Sequence, residues 1–357
     1  MKTTFGSVTI VNMNSFQNKP PKLSVVFSFR NEQDVLPELI VRARKVLDQL
    51  RQDGKLSGHE LIFVNDASTD SSLEILLAQA RGHNDIRILN MSRKFGVSPC
   101  VMAGLQYSSG DAVVYMDADL QDPPEAIPEL LEVWQEKGAD VVHTVRQSRD
   151  GEPLVKLFVT RIGYFILNKF TTIKLPVEAG DFKLLTQRAV QHLVKLRESR
   201  PFMRGLVCWI GFKQEFVPYH RDARHKGKSK FPVFSLEVIG NFFSSALTSF
   251  SAAPLKIAVI FGVLAILFDF AFVAHVLNEK FSGRAIPGWT AIMIATLFLG
   301  GVQLFCLGII GLYINSIHEQ SRQRPNFIIE SSFGFSPADD KVFLEKGRNP
   351  INLSQQR

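Results

Sequence analysis

Cysteine is scarce in this chain of 357 residues, and the three present, Cys100, Cys208 and Cys306, lie far apart. Without a C-x-x-C pair, neither a cysteine-built zinc site nor a disulfide scaffold is expected, and the usage fits a reducing compartment. The eight histidines include no H-x-x-x-H or H-E-x-x-H spacing, which argues against a helix-borne zinc centre. Neither G-x-G-x-x-G nor G-x-x-x-x-G-K-[ST] occurs, so the dinucleotide fingerprint and the P-loop are both missing as phosphate cradles. The first twenty residues are polar and lack the apolar segment of a cleavable signal peptide.

What the chain does have is positive charge and two long apolar runs. The formal net charge is +7, which suits an anionic partner without identifying it: nucleic acid, phospholipid and phosphorylated substrates all qualify. Residues 257–277 and 289–314 are each long enough to cross a bilayer, which takes about 20 apolar residues. A short turn separates them, so they read as a transmembrane hairpin spanning 253–316. Asp269 and His275 interrupt the first run, and an intramembrane acid is by default a functional candidate or a polar contact within a bundle. Basic residues crowd the outer flanks (Arg221, Arg224, Lys226, Lys228, Lys230 and Lys256 before, Arg322 and Arg324 after), while the turn carries only Lys280 and Arg284. The positive-inside rule then leaves both the N-terminal part and the tail 317–357 in the cytoplasm. Residues 233–252 carry apolar side chains at helical spacing and read either as an interfacial amphipathic helix or as one packed on the preceding domain.

Before the membrane segments, short runs rich in Val, Ile and Phe alternate with helical patterns. The runs at 22–29, 59–66, 85–92, 111–118 and 139–145 predict five strands of an α/β layer with a mostly parallel sheet. In such sheets ligands bind at the C-terminal strand ends, and Asn65–Asp66, Arg93–Lys94 and Asp117–Asp119 all fall there. The stretch VYMDADLQDPP (114–124) is the most telling. In an extended chain residues i and i+2 point the same way, so Asp117 and Asp119 aim at one spot and repel unless a cation lies between them. A hard divalent ion such as Mg²⁺, which takes one or two carboxylates together with substrate phosphates, is the natural occupant. A solvated loop tip is the competing explanation for a lone D-x-D.

The blocks SVVFSFRNE, FVNDASTD, SRKFG, MDADLQDPP, GDFK, FMRGL and RHKGKSKF occur in the order found in polyprenyl-phosphate glycosyltransferases. Over roughly residues 22–330 the chain resembles that group of inverting family-two glycosyltransferases. The resemblance implies a GT-A catalytic domain at 22–232 behind a polar N-terminal tail (1–21), and transfer of a hexosyl group from a nucleotide-diphosphate sugar to a polyprenyl phosphate. It implies Mg²⁺ or Mn²⁺ at Asp117 and Asp119, and donor contacts at Glu32, Asp66, Arg93, Asp117 and Gln121. Asp181 and Asp119 fall at catalytic positions, and Arg149, Arg204, Arg221, Arg224 and Lys230 in the region that receives the lipid phosphate. We expect a multi-pass protein of the inner membrane, assembled as a homo-oligomer, that makes a lipid-linked sugar for cell-surface glycan and binds no nucleic acid. UDP-glucose is the favoured donor, by similarity to bactoprenol glucosyltransferases.

Several positions depart from the group's pattern: Ser28 for proline, Arg30 for tyrosine, Asn65 for the first acid of D-D-G-S, Ala67 for its glycine, and Lys183 for the arginine of G-D-F-R. The first three lie in the presumed nucleoside pocket and leave GDP-mannose and UDP-N-acetylhexosamine open as donors. Asp181 reads as a positioning or electrostatic residue more readily than as a base, because a phosphate acceptor is already largely ionised at neutral pH. A turn acid is its bland alternative. The cluster from Arg221 to Lys230 equally suits a topogenic flank or attraction to anionic lipid. Two other functions remain as alternatives: a processive polysaccharide synthase, whose Q-x-x-R-W motif is missing, and a non-catalytic membrane component, which the intact acid pair disfavours.

Overall fold

β-Branched and aromatic residues concentrate in short runs bounded by polar turns, and each run forms a strand. The computed structural model describes residues 19–146, 176, 179–196, 198, 201–219, 253–282, 288–335 and 351–352. Strand β1 is Lys22–Phe29, followed by helix α1 (Leu36–Gln52), β2 (Gly58–Asn65), α2 (Ser72–Gly82), β3 (Ile86–Met91), α3 (Val97–Tyr107) and β4 (Ala112–Asp117). A 3₁₀ turn at Pro124–Ala126 leads into α4 (Ile127–Lys137) and β5 (Val141–Arg146). Then come β6 (Ala179–Thr186), α5 (Gln187–Leu193), α6 (Met203–Trp209) and β7 (Gln214–Tyr219). Two long helices, α7 (Ala253–Phe281) and α8 (Gly288–Ser321), precede β8 (Ile329–Phe333) and the short β9 (Ile351–Asn352).

All these strands join one sheet in the order β7-β5-β6-β4-β1-β2-β3-β8-β9. The five strands read from sequence are present to within two residues at each end. The β4–β1–β2–β3 core is parallel throughout. Two features were not legible in the pattern. Strand β6 inserts antiparallel between β4 and β5, and β8 adds antiparallel to β3. Residues 329–333, read as part of a tail, are thus a strand of the catalytic sheet.

Strand alternation divides the core into two layers. Val25, Phe27, Leu61, Phe63, Ile88 and Val114 face α1, α2 and α4, whereas Val26, Ile62, Val64, Leu89 and Val113 face α3, α5 and α6. Each fully buried Val, Leu, Ile or Phe contributes about 1.5–3 kcal/mol, so both faces of the sheet are committed to the interior. Helix α1 takes its apolar stripe from Leu36, Leu39, Ile40, Ala43, Leu47 and Leu50, with Pro37 in its first turn. Helix α4 stops at Gly138, whose left-handed φ of 59° suits a C-terminal cap.

Helices α7 and α8 pack antiparallel. Phe261 meets Phe305 edge-on at 5.6 Å, Phe268 meets Phe298 at 5.3 Å, and the Cys306 thiol donates to the Ala258 carbonyl at 3.4 Å. Among the described residues only Phe298–Ser321 is long and apolar enough to cross a membrane, with mean hydropathy 1.7. Within α7, which covers the first expected span, the apolar stretch among the described residues is Ala258–Phe272. The side chain of Asp269 and the expected interfacial helix at 233–252 lie outside the described residues.

Helix α3 rests against β1 at Gly104, where an added Cβ would stand 2.2 Å from Val26 Cγ1. Gly104→Ala is therefore expected to lower stability by about 1–3 kcal/mol through overpacking, despite alanine's better helix propensity. Thermal or denaturant unfolding of the detergent-solubilised protein checks this, and Val26→Ala in the same chain should recover part of the loss. A neutral Gly104→Ala would contradict the close approach.

Candidate active site at the carboxyl ends of the strands

Strand β4 ends in Asp117, and its neighbours determine what that carboxylate meets. On one side the parallel register sets Ser28 of β1 opposite Asp117, and the Ser28 hydroxyl donates to Asp117 Oδ1 at 3.2 Å. Ser28, expected in the nucleoside pocket, lies against Asp117. On the other side the antiparallel register pairs Tyr115 with Lys183 of β6. Carried two residues further, that register brings Asp181 across from Asp117. The chain then turns sharply: Leu120 takes a left-handed φ of 56°, and Asp119 Oδ1 accepts the backbone N–H of Gln121 at 3.2 Å. Asp122, buried at 1 % exposure, accepts a hydrogen bond from the Tyr219 hydroxyl at the end of β7. That contact ties the loop to the far side of the sheet.

Four carboxylates therefore gather within one electrostatic neighbourhood. Burial, then the charges of Asp181, Asp119 and Asp122, push Asp117 up to about 7, against the pull of the Ser28 hydroxyl. Asp181 behaves oppositely. Burial alone would raise it, but Arg204, then Lys183 and Arg146, hold it down at about 2. The Arg204 guanidinium grips it through two parallel hydrogen bonds, Nε to Oδ1 at 3.0 Å and an Nη to Oδ2 at 2.6 Å. Arg204, expected at the lipid phosphate, lies beside Asp181 through these two contacts. Lys183, only 1 % exposed, is pushed down to about 8 by burial and Arg204 although Asp181 pulls the other way.

Among the described residues, no three His, Cys, Asp or Glu side chains form a metal-holding group, and the expected ligands there are the pair Asp117 and Asp119. The chemistry of that pair fits a divalent cation. Asp117 is held among like charges that raise its pKa, while the one nearby bidentate cation is spent on Asp181.

The donor-side residues occupy the adjoining loops. The backbone N–H of Glu32 donates to Ser72 Oγ at 3.0 Å, which joins the loop after β1 to the start of α2. Asp66, expected to contact a nucleoside, has each oxygen occupied by a backbone N–H, from Phe95 at 2.6 Å and from Gly96 at 3.0 Å. It fastens the loop after β3. On that loop Arg93 is exposed and lies 4.1 Å over the Phe95 ring. Asn31 and Ala67 adopt φ of 54° and 50°, so the loops after β1, β2 and β4 each carry a left-handed non-glycine residue. Such strain concentrates at functional sites. Arg149, Arg221, Arg224 and Lys230 lie outside the described residues. Sequence reasoning missed Tyr219, Asn90 and the Asp122 anchor; only the Pro-Pro after Asp122 hinted at a fixed turn.

The Asp181–Arg204 pair generates a stability prediction. Removing Arg204 leaves Asp181 facing the other acids without its counter-charge, so Arg204→Ala should destabilise more than the double variant with Asp181→Asn. The coupling energy from a double-mutant cycle is expected at about 1–3 kcal/mol, read by thermal unfolding at neutral pH. Additive losses would mean that the two side chains act independently.

The glycosyl transferase family 2 profile matches residues 24–194, the stretch that builds β1 to α5. An uncharacterized glycosyltransferase of Synechocystis sp. is 38% identical over 314 residues, 88% of this chain and 96% of that protein. A prophage-derived bactoprenol glucosyl transferase of Shigella flexneri is 34% identical over 317 residues, 88% of this chain and 100% of that protein. Among solved structures, glucosyl-3-phosphoglycerate synthase from Mycobacterium tuberculosis in complex with Mn²⁺, UDP-glucose and phosphoglyceric acid is similar with a TM-score of 0.43 and 18% identity, over 64% of this chain and 78% of that one. The helix-flanked, mostly parallel sheet is the GT-A-like α/β fold, and with relatives of this identity along nearly nine-tenths of its length the chain belongs to glycosyl transferase family 2 and is a glycosyltransferase.

Proposed function

We propose that the protein transfers a hexosyl group, with inversion, from a nucleotide-diphosphate sugar, UDP-glucose foremost, to the phosphate of a polyprenyl lipid. The observation that carries this reading is the match to bactoprenol glucosyl transferases along 98–100% of their length, which takes in the segment holding α7 and α8. A divalent cation, Mg²⁺ or Mn²⁺, held by Asp117 and Asp119 would supply counter-charge to the donor diphosphate. The chain's own residues then have distinct tasks. Ser28 and the Asp122–Tyr219 contact orient the acid pair, Asp181 and Arg204 fix charge beside it, and Arg93 lies beside the same cleft. The acceptor phosphate, with a second pKa near 6, brings its own nucleophilic oxygen.

A membrane hairpin is the companion proposal. Strands β7 and β8, which lie on either side of the two long helices in the sequence, belong to one sheet. If α8 crosses the bilayer, a second crossing must restore the side, and α7 is the segment available. Its 29 residues extend about 44 Å at 1.5 Å per residue, beyond the roughly 30 Å of hydrocarbon. The basic flanks favour a cytoplasmic sheet in the inner membrane.

Asp117→Ala or Asp119→Ala is expected to abolish transfer to short-chain polyprenyl phosphate, and chelation should do so reversibly on re-addition of Mg²⁺ or Mn²⁺. Undiminished transfer in chelator would refute the metal assignment, and no transfer from any of several nucleotide sugars would refute the function.

The pH profile separates positioning from proton removal. Asp181, held at about 2, is already ionised throughout the working range. With saturating Mg²⁺ or Mn²⁺, which would keep Asp117 ionised, the acid limb of kcat/KM should therefore follow the acceptor phosphate near pH 6, falling as pH drops and the dianion is lost. Asp181→Asn should lower the rate without moving that limb. An acid limb present in the wild type and missing in Asp181→Asn would make Asp181 the base.

A further inference from the structure

Strand β8 returns from the membrane helices to the open end of the sheet, and it carries a carboxylate there. Asn65, at the end of β2, is 1 % exposed, and its neighbour across the parallel register is Asn90 of β3. Asn65 Oδ1 accepts the backbone N–H of Ser68 at 3.0 Å, so its amide nitrogen must point the other way, and it donates to Asn90 Oδ1 at 2.8 Å. That commits the Asn90 carbonyl and leaves its NH₂ to find an acceptor. Glu330 of β8 supplies one: Asn90 Nδ2 donates to Glu330 Oε2 at 2.9 Å. The β3–β8 ladder shifts register between Asn90 and Met91, the kind of irregularity that re-aims side chains beside functional sites.

Glu330 is exposed, and no Lys, Arg or His among the described residues forms an ion pair with it. It stands at the carboxyl edge of the parallel strands, where ligands bind in such sheets, in the same row as Asn65. The acid expected to read the nucleoside, Asp66, spends an N–H contact on each oxygen to hold the loop at Phe95 and Gly96. A single polar chain, Ser68–Asn65–Asn90–Glu330, thus ends in an exposed carboxylate whose Oε2 is pinned by Asn90 and which has a second oxygen able to accept.

We infer that Glu330, delivered by the strand after the membrane helices and oriented by Asn90, is a specificity-determining residue that accepts a hydrogen bond from a ring N–H of the donor's base. This rests on the reading of the substrate as a nucleotide sugar. Uracil offers N3–H and guanine N1–H, while adenine has no ring N–H on its pairing edge, so the carboxylate selects for the first two. It also means that the donor pocket is complete only when the chain beyond α8 is docked on β3.

The test is competition binding on the full-length protein in detergent, with UDP, GDP, the N3-methyl and N1-methyl derivatives of the two, and inorganic pyrophosphate as probes. For the nucleoside diphosphate that the wild type binds more tightly, Glu330→Ala should weaken binding about tenfold to a hundredfold, the range of a hydrogen bond to a charged group. Pyrophosphate should bind unchanged, and the matching methylated analogue should bind wild type and variant alike. Glu330→Gln keeps the side-chain volume and can still accept from Asn90, but it turns an NH₂ toward the base; it should lose affinity with no change in unfolding temperature. Affinities within twofold of wild type in both variants, or equal losses for nucleotide and pyrophosphate, would overturn the inference. Wild-type protein that binds neither UDP nor GDP would instead overturn the nucleotide-sugar reading.

Discussion

Everything at the open end of the sheet depends on the antiparallel register between β4 and β6. That one pairing sets Lys183 beside Tyr115 and brings Asp181 across from Asp117. A strand running the other way, or slipped by one residue, would turn Asp181 to the opposite face and dissolve the charge cluster. The register is held by the core beneath it, where Phe182, Leu184 and Leu185 are fully buried and Thr144 donates its hydroxyl to the Phe182 carbonyl at 2.7 Å. Hydrophobic burial on both faces thus fixes an electrostatic arrangement that would be unfavourable alone.

That arrangement separates two kinds of acid. Asp181 has its counter-charge built in, through the bidentate contact to Arg204. Asp117, among the described residues, has a hydroxyl donor from Ser28 in place of a paired guanidinium. The difference follows from the neighbours: Asp181 has Arg204 of helix α6 beside it, whereas Asp117 has the charges of Asp181, Asp119 and Asp122 around it. Left-handed residues at Asn31, Ala67 and Leu120 show where the chain accepts local strain to turn these groups inward. An Ala at position 67 accepts a conformation that glycine adopts without penalty.

The second organising pairing is β8 on β3. Phe327, Ile329 and Phe335, just beyond α8, are buried in the same layer as α3, so the segment after the long helices is part of the catalytic core. The end of α8 is therefore tied to the sheet through β8. The arrangement joins whatever holds those helices to the edge where Asn90 and Glu330 meet.

The sequence by itself determined the parallel half of the fold, because β1 to β5 advertise themselves as apolar runs between helical patterns. It also marked Asp117 and Asp119 as neighbouring acids at a strand end, although the strand stops at Asp117 and Asp119 lies in the turn that follows. What it did not reveal were the strands whose pattern is broken by charge. Strand β6 contains Gly180, Asp181 and Lys183, and a lysine in a central strand makes sense only once Asp181 and Tyr115 surround it. Strand β8 contains Glu330, Ser331 and Ser332, polar residues that read as tail until β3 supplies partners. The roles of Asp66 and Arg204 were likewise decided by tertiary structure. Both were legible as charged residues near the site, but their partners, the Phe95–Gly96 backbone and Asp181, lie 23 or more residues away in sequence. Local composition records which groups are charged. Only the folded chain decides which charges neutralise one another and which remain for a ligand.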